Sequence, residues 1–114
     1  MGETLTYFDR APLERHVRGR QATVVKLDVP TITPASLLAR HGFEAFDILQ
    51  IDAEDYDFEL LKVFGLGTGE PPLIHFESGQ MKASTQAECY RHLMRHDYAM
   101  LTLRGDTLAM KPSP

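Results

Sequence analysis

Phe46-Asp47-Ile48-Leu49-Gln50-Ile51-Asp52-Ala53-Glu54-Asp55-Tyr56-Asp57 decides how the rest of this chain reads. Ile48, Leu49 and Ile51 form a short apolar run that leads into four carboxylates, Asp52, Glu54, Asp55 and Asp57. An apolar run of this length bounded by acids reads as a buried strand whose carboxyl end opens into a turn and then a helix. Ligands of open α/β sheets bind just beyond the carboxyl ends of the strands. Carboxylates placed there are candidates for gripping a hydroxyl, an ammonium or a metal ion. The same acids also suit the first turn of a helix, where they cap free N–H groups and favour its positive end. Residue types alone leave both readings open.

Working outward, Asp55 to Phe64 places Phe58 and Leu61, and Tyr56, Leu60 and Phe64, at helical spacing, with Gly65 as a stop. Leu73 to Phe76 is a second short apolar strand, ending in Glu77. Ser84 or Thr85 can cap the next helix, where Thr85-x-x-Glu88 fits a capping box and Ala87, Tyr90, Leu93 and Met94 form the apolar stripe. Tyr98 to Leu103 and Thr107 to Met110 flank Arg104-Gly105-Asp106 and read as a hairpin with a glycine turn. Upstream, Thr33-Pro34 opens a helix over Ala35 to Arg40 that stops at Gly42. Ala22 to Val29 is rich in β-branched residues, stops at Pro30, and reads as a strand. Residues 1–20 form a loose lead-in with a short helix around Pro12 to Val17. Alternating strands and helices predict an α/β fold in one domain, with a mainly parallel sheet finished by an antiparallel hairpin.

The 114 residues allow one small core. A net charge of −4, with no cluster of Lys and Arg interleaved with aromatics, argues against a nucleic-acid surface. Cys89 is the single cysteine, which excludes an internal disulfide and suits a reducing compartment. No apolar run approaches membrane-spanning length, and the start lacks the order of a signal peptide, so a cytoplasmic protein is expected.

Several motifs mislead. Gly65-Leu66-Gly67-Thr68-Gly69 copies a phosphate-binding loop, but a helix precedes it and Pro71-Pro72 and a strand follow, so it reads as a connector. Cys89, His92 and His96 share a helix face, yet Arg91 and Arg95 add positive charge there and no fourth ligand is near, so that face reads as solvated or packed and no metal is expected. The acid run lacks the central glycine and spacing of a calcium loop. His75 alternates with Ile74 and Phe76 and reads as a packed strand residue before a base.

The order of these segments resembles the FkbM family of S-adenosylmethionine-dependent methyltransferases. Phe46 to Leu61 is similar to the family's signature, a strand of the form D-h-L-K-I-D-V-E-G (h apolar) running into a helix rich in Glu and Leu. Pro72 to Glu77 resembles its next strand, Asp97-Tyr98 the Gly-Tyr ahead of the last hairpin, Val24 to Leu38 the stretch before the signature, and Thr6 to Arg10 a Ser-Phe-Asp-Arg type segment. Two positions depart from the pattern: Gln50 stands for the usual lysine, and Asp55 for the usual glycine.

The resemblance implies a partial Rossmann-like fold covering the carboxyl-terminal half of a class I methyltransferase domain. It implies S-adenosylmethionine as cofactor and methyl transfer to a hydroxyl of a small molecule or sugar. Asp52 and Glu54 match the signature acids and Glu77 the acid after the next strand, which makes these the catalytic candidates, with Asp52 nearest the acceptor. Asp55, Asp57 and His75 are weaker candidates. The glycine-rich turn and ribose-binding acid of the family's first strands have no counterpart from Tyr7 onward, so the expected chain is a piece with little turnover alone. The rival expectation is a non-catalytic interaction module, in which a homodimer or a missing amino-terminal half covers an unpaired strand edge.

Overall fold

In the computed structural model, which describes residues 10–21, 23–64 and 70–113, the decisive stretch supplies β1 (Ile48–Ile51) and then α3 (Asp57–Phe64). Leu49 and Ile51 point into the core while Ile48 and Gln50 point out, the alternation of a strand with one covered face. Ahead of it lie α1 (Arg10–Val17) and α2 (Pro34–His41). Thr33 Oγ1 accepts the Ser36 N–H at 3.2 Å, and Gly42 closes α2 with a left-handed φ of 69°. Thr, Pro and Gly therefore bound this helix as their chemistry predicts.

After α3 come β2 (Leu73–Glu77), α4 (Ala83–Arg95), β3 (Ala99–Leu103) and β4 (Asp106–Met110). The sheet order is β1-β2-β4-β3. β1 runs parallel to β2, with Ile48 opposite Leu73 and Ile51 opposite Phe76. β2 and β4 are antiparallel, as are β4 and β3. The expectation of a mainly parallel sheet is thus corrected: one pairing of three is parallel. The reason is placement. The chain leaves α4 for the far edge, and the hairpin turn brings β4 back between β3 and β2. Arg104 (φ 53°) and Gly105 (φ 96°) make that turn, both left-handed, as a two-residue connection requires.

Two further expectations fail. The strand expected at Ala22 to Val29 does not form over its described part: residues 23–33 carry no regular structure. β-branched residues favour a pleated surface with neighbours, and here no neighbouring strand is offered. The Thr85-x-x-Glu88 capping box is also absent, because α4 starts at Ala83 with Lys82 at its cap and no side-chain cap bond. A turn set by the Ser78 carbonyl, which accepts the Met81 N–H at 3.2 Å and Gln86 Nε2 at 3.0 Å, starts the helix earlier. The stripe shifts accordingly, burying Cys89 and Leu93 while Met94 stays exposed.

Phe58 and Leu61 of α3 and Cys89 and Leu93 of α4 close one face of the sheet over Leu49, Ile51, Ile74, Phe76 and Ala109. Tyr98 joins this core and donates its hydroxyl to the Pro71 carbonyl at 2.6 Å. The opposite face leaves Ile48, Leu101, Leu103 and Met110 exposed. No helix among the described residues is long and apolar enough to cross a membrane. The Gly65–Gly69 connector and residues 6–9 of the upstream segment lie outside the described residues.

Candidate functional site: an acidic rim at the carboxyl ends of two strands

The parallel pairing of β1 and β2 brings their carboxyl ends side by side, so the acids that follow each strand share one rim. Asp57 organises it. This side chain is 2% exposed, and its two oxygens accept backbone N–H groups from Ala53 (2.8 Å) and Glu77 (3.1 Å). One carboxylate therefore ties the turn after β1 to the last residue of β2. Burial raises the Asp57 pKa above the usual carboxylate value, and Asp52 and Asp55 push the same way against the two backbone hydrogen bonds.

The turn between β1 and α3 is tight. Glu54 (φ 42°) and Asp55 (φ 46°) are both left-handed, and the Tyr56 N–H is shared between the Ala53 and Glu54 carbonyls. Asp55 occupies the position where the resembled pattern has glycine, and it adopts the conformation glycine would make easy. An exposed pair with Arg15 of α1, at 3.3 Å, holds its carboxylate.

Asp52 is exposed and Glu54 and Glu77 are partly buried. The Glu77 pKa is raised, first by burial and then by Glu54, Asp52, Asp57 and Asp106. Asp52 and Glu54 are thus close enough to act on Glu77, and Asp106 at the start of β4 adds a further charge. His75 Nε2 stands 3.7 Å from Asp106 Oδ2 on the open face. Such a rim attracts cations and offers oxygens to a hydroxyl.

Next to the rim lies a set of hydroxyls that the sequence did not disclose. Ser78 Oγ and Thr107 Oγ1 are 2.7 Å apart, and the Tyr90 hydroxyl meets them at 3.2 and 3.1 Å. Thr102 Oγ1 completes the group 3.1 Å from Thr107. Burial raises the Tyr90 pKa, but its hydrogen bonds with Ser78, Thr102 and Thr107 together outweigh it and lower the value. No local pattern marks these residues, because α4, β3, β4 and the turn after β2 each contribute one.

The helix face of Cys89, His92 and His96 is packed. Cys89 is fully buried, and burial pushes its thiol up to about 12. The His92 ring meets Phe58 and His96 with centroids at 5.9 and 5.1 Å. His96 Nδ1 and Lys111 Nζ both bind the Glu70 carboxylate, and Lys111 first, then His96, lowers the Glu70 pKa. Among the described residues, no group of three or more His, Cys, Asp and Glu is disposed to hold a metal ion.

A helix-covered mixed sheet with carboxylates at the ends of its parallel strands is consistent with an α/β fold of the methyltransferase kind. The model of the methyltransferase FkbM domain matches residues 3–103. The chain belongs to that family, as the resemblance of its strand–acid–helix segment implied. Neither the curated proteins nor the solved structures include a match.

Proposed function

We propose that this chain is the acceptor-binding part of an S-adenosylmethionine-dependent methyltransferase acting on a hydroxyl of a small molecule or sugar. Membership of the FkbM family supports methyl transfer, and one observation supports the assignment of roles: Asp52, Glu54 and Glu77 share the rim where β1 and β2 end. When bound, the cofactor supplies the electrophilic methyl on its sulfonium. The carboxylates suit the positive charge of that group and of the amino group beside it. The described strand-to-helix junctions do not cradle the adenosyl end. The β1–α3 turn holds no glycine, and the open side of Gly79, after β2, is filled by Gly105, whose Cα lies 2.8 Å from where a Cβ would sit. In this reading, that cradle comes from outside the described residues.

The acceptor hydroxyl lies against Asp52, the most exposed of the three acids, which accepts its hydrogen bond and orients an oxygen lone pair for in-line attack. Asp52 takes that proton as the hydroxyl becomes an ether, with Glu77 in support, its pKa raised by burial and by the neighbouring acids. Glu54 keeps the rim negative and positions the turn. Calorimetric titration with S-adenosylmethionine or its demethylated product tests the reading. The expected result is weak binding that diminishes in Asp52→Asn and with added salt. Absence of heat at high protein concentration refutes cofactor binding by this chain.

A further inference from the structure

Two features of this chain are each incomplete, and each has the shape the other lacks. The first is the outer edge of β1. It is an end strand of the sheet, so its far-side N–H and C=O groups have no ladder partner among the described residues. The core is also not closed beside that edge. Phe46, Leu60 and Phe64 are only partly buried against it, and the rings of Phe46 and Phe64 meet edge to face at 6.4 Å.

The second is the segment Thr23–Val29. None of its backbone groups hydrogen-bonds another described residue. Val25, Leu27 and Val29 are 69%, 76% and 71% exposed and alternate with Lys26 and Asp28, the period-two pattern of a half-buried strand. The helix that follows, α2, buries no residue and does not fasten the segment to the sheet. A monomer that keeps such a stretch in water is exposing a ready-made strand.

Charge selects what fills the edge. β1 begins beside Asp47 and ends in Asp52 and Glu54. Pairing one β1 with another sets these acids near their like. Thr23–Val29 is itself balanced, Lys26 against Asp28, and follows the basic Arg18 and Arg20. Antiparallel addition sets these arginines beside Asp52 and Glu54, whereas parallel addition brings them to Asp47 alone. In that arrangement Val25, Leu27 and Val29 fall on the face of Leu49 and Ile51 and seal Phe46, Leu60 and Phe64. Within one chain no backbone hydrogen bond joins the segment to the edge. Reciprocal exchange between two copies satisfies both, twice over, with a closed two-fold interface.

We propose that the outer edge of β1 is an interface with a second copy of this chain, each copy adding its Thr23–Val29 segment as an antiparallel strand to the other. The interface is independent of the methyl-transfer reading, since no residue of the acid rim has to react.

Sedimentation of the full chain over a concentration series tests it, with circular dichroism to verify folding. The wild type is expected to show a dimer whose fraction rises with concentration. Leu27→Pro removes a ladder donor, and Leu27→Asp puts a charge on the buried face. Each is expected to weaken the dimer by about tenfold or more without unfolding the chain, because Leu27 is exposed in the single chain. A second measurement separates exchange from self-pairing. Lys26→Cys protein is mixed with Gln50→Cys protein and treated with a short bismaleimide, both positions falling on the open face and Cys89 being buried. Cross-linked heterodimer supports the proposal. A clean monomer at all concentrations overturns it. So does a dimer insensitive to both Leu27 variants, or a mixture that yields no cross-linked heterodimer.

Discussion

Replacing Asp57 tests the architecture of the rim most directly. Its carboxylate receives the Ala53 N–H at 2.8 Å and the Glu77 N–H at 3.1 Å, so Asp57→Ala strands two partly buried donors at once. Hydrogen bonds to a charged group contribute about 1.5–3 kcal/mol each. Against them stands the burial that raises the Asp57 pKa, a cost the alanine variant no longer bears. The net loss is about 2–4 kcal/mol. For a chain of this size that lowers Tm by about 10 °C or more, read by far-ultraviolet circular dichroism. Asp57→Asn keeps one carbonyl acceptor and should lose roughly half as much, about 1–2 kcal/mol. The pH dependence has a defined sign. A folded-state pKa raised above the unfolded value gives stability that is complete below the unfolded pKa and lost as pH rises through the folded one. The alanine deficit is therefore larger near about pH 3 than near about pH 7. An Asp57→Ala protein within about 0.5 kcal/mol of wild type at both pH values would falsify the clamp.

Other outcomes follow from the same structure. Glu77→Gln should leave stability unchanged in acid and raise it as pH climbs past the ordinary glutamate range, because the wild-type carboxyl is raised by burial and by neighbouring acids; urea titrations across pH measure this, and a constant difference refutes it. Gly79→Ala drives a Cβ to 2.8 Å from the Gly105 Cα, costing about 1–3 kcal/mol in a thermal melt, and a neutral result would show that the hairpin tip can move. Asp55→Gly relieves a left-handed residue at φ 46° and gives up an exposed pair with Arg15. The balance is a gain of up to about 1 kcal/mol, and a loss of that size would show that the ion pair governs the turn. The Cys89 thiol, buried and pushed up to about 12, should resist a thiol reagent at mildly alkaline pH until the protein unfolds. Rapid native-state labelling contradicts that.

Elements bounded by strong local chemistry were readable from residues alone. Thr33, Pro34 and Gly42 bracket α2, Gly105 marks the hairpin, and the apolar run into acids marks β1 and α3. What depends on distant partners was not. Nothing within Tyr98 to Met110 states which hairpin strand lies beside β2, so the antiparallel majority of the sheet stayed hidden. Ser84, Thr85 and Glu88 satisfy a capping pattern, but the helix start is set by the Ser78 carbonyl. Thr23–Val29 has the composition of a strand and lacks a neighbour to make it one. Within the rim, Asp52, Glu54 and Glu77 could be named from the strand ends and the family resemblance. Asp57 looks like its neighbours in sequence, and its separate duty arises only because Glu77, a strand away, offers an N–H.

The meeting of Gly79 and Gly105 constrains more than one turn. The Ser78 and Gly79 amides both donate to the Gly105 carbonyl, at 2.8 and 2.7 Å. The tip of the last hairpin is thereby pinned to the peptide immediately after Glu77. Inserting or deleting a residue between Leu103 and Asp106 breaks that pin, and slipping the hairpin by one position turns Thr107 and Ala109 to the wrong side. A change of length at this tip therefore disturbs a glutamate in another strand.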